Sequence, residues 1–364
     1  MSIRVKMVLL VAAISLIAFI GVGVFVYNAS TMQNMSNELT KEHVRVMADE
    51  YFARFDSFLG AIEASAGMSQ ALGESYYFLR NDLPRPELEA KMSRAYQMAF
   101  AREKNLLGGG AFYEPNAFYP DVRDFLLFLS KENPMESNPD KIPPAWEWDV
   151  DTFAEGWYLV ALPQGWDRAK ARDKRGYWSE LYLDTSVNVL MVSVCMPMYG
   201  DAGRITGVAT VDVTLGTLQD MVGSFALPTP SAKIAAFSTI NKATFASSDS
   251  RSKDIIPYPA GSWLNQLNQL EPAQELINEN LTLNGENYTL LTSTHISGIG
   301  LALLIPNAEM YKAVNRLQTN NMIVAVVVWA AIILASIISV LLARAITRPI
   351  IESVAFAQAM ATGD

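Results

Sequence analysis

Two long runs without a charged residue constrain this 364-residue chain more than any other feature. The first covers residues 7–27 and the second covers residues 322–343. At 1.5 Å per residue, a helix of roughly 20 residues crosses a hydrocarbon core of roughly 30 Å. A cleaved signal peptide is the alternative for the first run, but its apolar part would span only about 7–15 residues. We therefore predict two transmembrane helices.

Basic residues beside the two runs predict the orientation of the chain. They precede the first run and follow the second, at Arg4, Lys6, Arg344 and Arg348. Because positive flanking residues stay on the cytoplasmic side, residues 1–6 and 344–364 are predicted there, and residues 28–321 are predicted outside the cytoplasm. The chain has a formal net charge of −9, so a nucleic-acid partner, which needs a basic surface, is not expected.

Composition and motifs argue against several classes of chemistry. Cys195 is the one cysteine, and His43 and His295 are the two histidines, which excludes a disulfide within the chain and any usual zinc cluster. The sequence contains no nucleophile elbow, metalloprotease helix or dinucleotide fingerprint. We therefore predict no catalytic residue, no metal and no cofactor.

A change of periodicity divides the outer part of the chain. Residues 28–80 carry apolar side chains at steps of three and four, which predicts one long stalk helix. Past residues 81–86, short apolar segments alternate with Gly and Pro, which predicts strands and loops, with the three glycines at 108–110 as a turn. The clearest hairpin joins residues 187–199 to residues 205–215 through a turn rich in Gly.

A second set of strands follows the hairpin. With a helical piece near residues 263–270, these strands are predicted at 233–238, 243–247, 274–279, 287–294 and 300–305. Residues 309–321 return to a helical pattern that leads into the second apolar run. The predicted fold class is α/β in the broad sense (α+β), with two modules on a long N-terminal stalk helix, flanked by two transmembrane helices.

The order of these parts resembles the double-Cache sensory domain of bacterial transmembrane receptors of the methyl-accepting chemotaxis type. The resemblance implies two PAS-like Cache modules, a membrane-distal, ligand-binding module at 81–220 and a membrane-proximal module at 221–308. It also implies that residues 344–364, with Arg348-Pro349-Ile350, open a HAMP linker that continues into an output module beyond residue 364. A homodimer in the bacterial inner membrane, with cytoplasmic signalling partners, is implied as well.

Five residues match the ligand-binding pattern of the family's amino-acid sensors, which is Arg-x-Trp-Tyr, then Tyr-x-Asp, then an Asp on a strand. The matching residues are Trp157, Tyr158, Tyr182, Asp184 and Asp212, while Glu155 occupies the position of the Arg. In those relatives the Arg grips the carboxylate of the ligand. The aspartates and aromatic rings hold its ammonium group.

The exchange of Arg for Glu155 changes the predicted ligand. A guanidinium pairs with a carboxylate through two hydrogen bonds, whereas a glutamate would repel it. Three carboxylates with aromatic faces favour a cationic guest. The sequence also resembles the amine-recognising branch of these sensors, which bind biogenic amines, polyamines or quaternary amines. Trp146, Trp148 and Trp178 are further candidates for the pocket wall.

Each of these residues also has a purely structural explanation. Trp157 and Tyr158 could be core aromatics, Asp212 could make a structural hydrogen bond, and Glu155 could be an exposed loop residue. The basic run at 168–175 could bind an anion, but it is more typical of a solvated loop. The alternative functions are an amino-acid or organic-acid sensor of a chemoreceptor, histidine kinase or diguanylate cyclase, and a membrane-anchored extracytoplasmic enzyme.

Overall fold

The computed structural model describes residues 3–362 except 148–150, 174, 186, 241, 249–255 and 258–262. The chain divides into two compact units. One unit is Arg45–Asn307, and the other combines Met1–Val44 with Ala308–Asp364. The larger unit contains both sheets.

The described elements follow the predicted order of a long helix, two mixed modules and a last long helix, which confirms the fold class. The helices are α1 (Ile3–Leu79), α2 (Arg85–Arg102), α3 (Gly156–Ala161), α4 (Leu215–Gly223), α5 (Asn307–Met310) and α6 (Lys312–Thr362). The strands of the first sheet are β1 (Gly108–Tyr113), β2 (Leu126–Ser130), β3 (Pro144–Ala145), β4 (Tyr177–Trp178), β5 (Tyr182–Asp184), β6 (Val189–Tyr199) and β7 (Ile205–Thr214). The strands of the second sheet are β8 (Lys233–Ser238), β9 (Ala243–Ser247), β10 (Ile256–Pro257), β11 (Glu275–Leu283), β12 (Glu286–Thr294) and β13 (Ile299–Pro306).

Helices α1 and α6 contain the two apolar runs. The stretches Leu16–Leu79 and Met322–Leu342 are long and apolar enough to cross a membrane. Within the smaller unit, the ring of Phe19 lies edge-on against the ring of Trp329, with centroids 5.2 Å apart. The predicted first span and stalk form one uninterrupted helix, since α1 contains no proline that would break it.

The first module consists of α2, α3 and the antiparallel sheet β1 to β7. Its strand order is β3-β2-β1-β7-β6-β4, and β5 also pairs with β6. The predicted hairpin is confirmed as β6 and β7, and its register places Ser193 opposite Asp212. One face of the sheet packs on α1 and α2, where the Ser69 hydroxyl donates to Gly110 O at 3.1 Å. Helix α3 covers the other face through Trp157, which packs against Phe112.

The glycines at 108–110 do not form the predicted turn, and that prediction was wrong. They begin β1, between β2 and β7. A Cβ atom at Gly109 would collide with the carbonyl oxygen of Thr210, and one at Gly110 would collide with that of Leu127. Gly109 also has a φ of +144°, which L side chains rarely adopt. The run is glycine because three strand backbones approach closely there.

Helix α2 lies in the stretch for which the sequence pattern predicts only short segments. Its buried side chains Leu88, Met92, Tyr96 and Phe100 recur every four residues, so it packs as an ordinary amphipathic helix. Pro84 directly precedes the helix, and a second proline lies in its first turn, where a missing N–H removes no helical hydrogen bond. These prolines therefore mark a helix start and not a loop.

The second module consists of α4 and the antiparallel sheet β8 to β13, in the order β10-β9-β8-β13-β12-β11. Strands β8 and β9 have the predicted bounds, β12 begins one residue earlier than predicted, and β13 is one residue longer at each end. The predicted helical piece is a 3-10 helix, Trp263–Gln269. Its Leu267 packs with Phe237, Leu290 and Leu304 in a core of apolar side chains.

Candidate functional site

Asp212 lies on β7 and is only 4% exposed. The sheet places it between Gly108 of β1 and Ser193 of β6. The Ser193 hydroxyl donates to Asp212 Oδ1 at 2.6 Å, and it also lies 2.7 Å from the Tyr182 hydroxyl. Two predicted site residues, Tyr182 and Asp212, are therefore linked through Ser193 by a chain of hydroxyl hydrogen bonds. The hydrogen bond considered for Asp212 on sequence grounds is present.

Asp184 lies at the end of β5, which pairs with β6. Because successive side chains of a strand alternate between faces, Asp184 and Tyr182 share one face, and Tyr182 reaches Ser193 on that face. Asp184 is 9% exposed, and the Val187 backbone N–H donates to its Oδ1 at 3.4 Å. The structure thus brings together Tyr182, Asp184 and Asp212 of the predicted site.

Burial dominates the electrostatics of Asp212. It raises the pKa of the Asp212 carboxyl to about 7, the Ser193 hydrogen bond opposes that rise, and the negative charge of Asp184 adds to it. Among the described residues, no Lys, Arg or His forms an ion pair with Asp212. A buried carboxyl group that titrates near neutral pH is typical of functional sites.

Trp157 and Tyr158 lie at the other end of this face. The Trp157 ring is 4.8 Å from that of Phe112. The Tyr158 hydroxyl donates to Glu114, which also accepts two hydrogen bonds from the Arg168 guanidinium at 2.9 and 3.2 Å. Glu114 directly follows β1, while Asp212 lies opposite the first residue of β1. At ~3.3 Å per residue, about 20 Å separates the two positions, so Tyr158 is not beside Asp212.

Glu155 occupies the N-cap position of α3. Its backbone carbonyl accepts hydrogen bonds from the N–H groups of Tyr158 and Leu159. Its half-buried side chain makes no capping hydrogen bond. No contact among the described residues joins Glu155 to Asp184 or Asp212, so its place in the site stays a prediction.

The three tryptophans proposed for the pocket wall lie in different places. Trp178 pairs with Val194, on the sheet face toward α1, and its Nε1 donates to Glu63 Oε1 at 2.6 Å. It therefore does not line the face of Asp212, and Tyr177, its neighbour on β4, faces that side instead. Trp146 is half-buried with its ring 5.5 Å from another aromatic ring. Trp148 lies outside the described residues.

The basic run at 168–175 is a solvated loop only in part: residues 169–171, 173 and 175 are exposed, as the sequence predicts, whereas Arg168 and Arg172 are half-buried. Arg168 is bound to Glu114. The Arg172 guanidinium packs over the rings of Trp166 at 4.7 Å and Tyr177 at 4.4 Å, and its Nη2 donates to a backbone carbonyl of α3 at 3.1 Å. Residue 174 lies outside the described part. Flanking aromatic residues were the sequence signal for this packing.

Sequence reasoning missed Ser193, Tyr177 and Glu114. Ser193 could have been found, because the predicted hairpin with its tight turn fixes the register that places it opposite Asp212. Tyr177 lies in a strand of two residues, and Glu114 lies just after the end of β1. Periodicity gives no signal at either position. Within the described part of the chain, no group of three or more His, Cys, Asp or Glu could hold a metal ion.

Comparison with known proteins finds a sensor-domain family model that is similar to the part of the chain that holds this site. Residues 93–220 match the family model of the methyl-accepting chemotaxis protein-like first PDC sensor domain. The match covers about a third of the chain and includes β1 to β7 with Asp184 and Asp212. Comparison with curated proteins gave no match.

Solved structures with the same fold extend the likeness to both modules. The extracellular domain of mmHK1S-Z3, a histidine kinase candidate, is 18% identical with a TM-score of 0.57, over 77% of this chain and 98% of its own. The protein described as Methyl-accepting Chemotaxis protein X is 18% identical with a TM-score of 0.55, over 75% of this chain and 99% of its own. The likeness at these identities is one of fold. Two described helices are also long and apolar enough to cross a membrane.

Proposed function

We propose that this chain is the sensory part of a transmembrane receptor and that its first module, the membrane-distal one, binds a small cationic amine. The family match of residues 93–220 and the two-module fold support the sensor role. The observation that carries the choice of ligand is the buried Asp212 carboxyl, which has Asp184 nearby and no cation paired with it among the described residues.

A bound ammonium group would compensate this buried acidity. Each hydrogen bond between an ammonium and a carboxylate contributes about 1.5–3 kcal/mol net. Two such bonds, less the entropy of capture, are compatible with micromolar affinity. The Tyr182 hydroxyl completes the polar end of the site through Ser193, and the rings of Tyr177 and Trp157 lie further along the same face.

The geometry favours a primary ammonium head over a quaternary one. Asp212 lies opposite Gly108, whereas Trp157 packs on Phe112, four residues further along β1 and therefore about 13 Å away. The carboxylate of Asp212 and the ring of Trp157 therefore lie in separate parts of the face. A quaternary ammonium donates no hydrogen bond and depends on several surrounding ring faces, so it would gain less beside Asp212.

The nearby guanidinium groups are engaged elsewhere, which argues against a carboxylate-bearing ligand. Arg168 is held by Glu114, and Arg172 is stacked between Trp166 and Tyr177. One observation favours the opposite view, because Nε of Arg172 is buried and has no hydrogen-bond partner among the described residues. An α-amino acid is therefore the second candidate ligand, and Arg172 would donate hydrogen bonds to its carboxylate.

Signal transmission in this proposal starts at β4. Trp178 of β4 is bound to Glu63 of α1, and its ring is 6.5 Å from that of His295 in the second module. Nε2 of His295 lies 3.6 Å from Oδ1 of Asp56, seven residues before Glu63 on the same helix. A ligand would bias two states of this junction through its differential affinity for them. A homodimer, a HAMP linker and a chemotaxis output belong to the same proposal.

The proposal is tested by thermal unfolding of the 364-residue chain in lipid nanodiscs, because a ligand that binds the native state raises its Tm. The compounds are butylamine, tyramine, putrescine, choline, a set of α-amino acids and a set of dicarboxylic acids. We expect the Tm to rise with the primary amines and to stay unchanged with the α-amino acids and the dicarboxylic acids. A rise with α-amino acids alone would contradict the amine proposal and favour Arg172.

Glu155 is tested in the same assay. Glu155→Gln removes the charge with little change of shape, and we expect it to weaken amine binding about tenfold, the loss of one charge-assisted contact. Asp220→Asn on the exposed side of α4 is the matched control and leaves binding unchanged. Equal affinity of the Glu155→Gln variant and the unmodified chain would remove Glu155 from the site.

A further inference from the structure

We propose that the ligand-free site stores one proton on Asp212 and exchanges it for the ammonium group of the ligand, so that the receptor reads amine concentration jointly with pH. This inference rests on the amine site proposed above. It concerns how that site is regulated, and not which module binds.

The surroundings of Asp212 supply little that would stabilise its negative charge. It is 4% exposed, and its side chain accepts one hydrogen bond from the described residues, that of Ser193. Gly108, its neighbour on β1, contributes no side chain. An isolated buried carboxylate is costly, so the carboxyl takes up a proton unless a cation arrives.

The other titratable groups on this face do not share that proton near neutral pH. Burial and the charge of Asp212 raise the pKa of the Tyr182 hydroxyl, and burial raises the pKa of the Cys195 thiol well above its usual value. Both groups therefore stay neutral. Asp184 on β5 adds negative charge, which favours the protonated form of Asp212. Helix α3, which covers this face, presents Trp157 and Tyr158, and burial raises the pKa of Tyr158 too.

The exchange is balanced in charge. The ligand-free site holds neutral Asp212, and the incoming ammonium brings one positive charge. Asp212 then releases its proton to solvent and becomes a carboxylate that accepts hydrogen bonds from the ammonium. The site gains one cation and loses one proton, so its net charge does not change, and the Asp212 charge exists only while it is paired.

Proton release makes the affinity depend on pH with a defined slope. With a midpoint near pH 7, only about 1% of the sites are ionised at pH 5, against about 90% at pH 8, and the apparent Kd scales with the inverse of that fraction. We therefore expect amine affinity to rise about 100-fold between pH 5 and pH 8. An alkyl amine stays cationic throughout, since its pKa lies near that of lysine, about 10.4.

The test is isothermal titration calorimetry of the 364-residue chain in nanodiscs with butylamine at pH 5, 6, 7 and 8. At each pH, titrations in two buffers that contain no amine group and differ in ionisation enthalpy count the protons released. We expect about 0.9 proton released per site at pH 6 and about 0.1 at pH 8, because only the protonated fraction of Asp212 has a proton to release. Binding of equal strength at every pH, with no proton release, overturns the exchange.

Two substitutions should move the midpoint of this profile in opposite directions. Ser193→Ala removes the hydrogen bond that favours ionised Asp212 and shifts the midpoint to higher pH. Asp184→Asn removes the repelling charge and shifts it to lower pH. General damage to the site cannot produce opposite shifts. Asp220→Asn, the exposed control, leaves the midpoint in place, and parallel shifts of both test variants would overturn the inference.

A ligand-free measurement separates this inference from the proposed function. The pKa of this carboxyl is higher in the folded state than in the unfolded state. Its contribution to stability is therefore fully present at a pH below the unfolded-state pKa, and it is lost as the pH rises through the folded-state pKa. The Tm of the unmodified chain should therefore fall relative to that of Asp212→Asn by roughly 5 °C between pH 4 and pH 8. If the curves of Tm against pH are parallel for the two proteins, Asp212 stores no proton and the inference is wrong. If the curves diverge but butylamine binds at no pH, only the proposed amine function is wrong.

Discussion

The two modules have the same kind of sheet but bury different types of polar side chain in it. In the first module β7 lies between β1 and β6, and in the second module β13 lies between β8 and β12. Strand β7 carries Asp212, whereas β13 reads Ile-Gly-Leu-Ala-Leu-Leu-Ile-Pro and is buried throughout. Among the described residues, the buried polar side chains of the second module are Ser and Thr, while the first module also buries Lys131, Asp184 and Asp212.

This difference shows that the same strand layout tolerates a buried carboxyl in one module and excludes it from the described part of the other. A buried carboxyl without a paired cation lowers the stability of the folded state, so a sheet that needs only to hold together places leucine there. The second module does this with Leu290, Leu303 and Leu304, each at most 2% exposed. The first module keeps Asp212 instead, and in the proposed function the free energy lost in folding is recovered when a cation binds.

Asp212→Asn should make the first module resemble the second. The amide keeps the shape and can still accept the Ser193 hydrogen bond, but it cannot pair with an ammonium group. We expect butylamine affinity at pH 8 to fall about 1,000-fold, or about 4 kcal/mol, which is typical of breaking a buried charge pair. Calorimetry of the 364-residue chain measures the affinity.

The same variant should be more stable than the unmodified chain at pH 8, where burial of the ionised carboxylate is most costly. Urea unfolding at pH 8 checks this. An affinity within threefold of the unmodified chain would mean that Asp212 is a structural carboxyl, and the contrast between the two modules would lose its functional content.

Leu290→Ala examines the opposite side of the comparison. Leu290 is fully buried in the apolar core of the second module. Removal of three buried carbon atoms should lower the free energy of unfolding by about 3 kcal/mol, through lost burial and the cavity left behind. Urea unfolding measures this loss. Amine affinity, measured well below the unfolding transition, should stay within twofold, and a tenfold loss would place the second module in the binding step.

The sequence predicted the regular parts of both modules well. The hairpin of β6 and β7 and the strands β8 and β9 followed from alternation and turn residues, which are local signals. Glycines at 108–110 and prolines near α2 misled because both residue types usually interrupt structure. Here the glycines permit close strand backbones and the prolines begin a helix, and both facts depend on neighbours distant in the chain.

The candidate site was predictable only in part, for the same reason. Tyr182, Asp184 and Asp212 come together because β5, β6 and β7 are consecutive in sequence and adjacent in the sheet. The hydroxyl of Tyr158 donates to Glu114, which lies 44 residues earlier in the chain, and no local sequence pattern predicts that hydrogen bond. Trp178 lies in a strand of two residues, too short for alternation to reveal its face.

Trp178→Phe tests whether the two modules communicate where they touch. The substitution keeps a ring beside His295 but removes the N–H that donates to Glu63 at 2.6 Å. We expect a loss of about 1.5 kcal/mol in stability, the contribution of a hydrogen bond to a charged group. Hydrogen exchange should accelerate at Ser297 and Ile299, whose N–H groups are bonded within the turn of His295. Unchanged exchange there would show that the two modules are mechanically independent at this contact.

Tyr158→Phe should have the smallest effect, and it separates the structural reading of α3 from the sequence-based one. The Tyr158 hydroxyl is bonded to Glu114, about 20 Å along β1 from the strand position opposite Asp212. Its removal should lower stability by about 1 kcal/mol, because Glu114 keeps its two bonds from Arg168. Butylamine affinity should stay within twofold. A tenfold loss would instead place the ligand across the whole face, from Asp212 to Glu114, and would require a longer ligand than a single ammonium with a short tail.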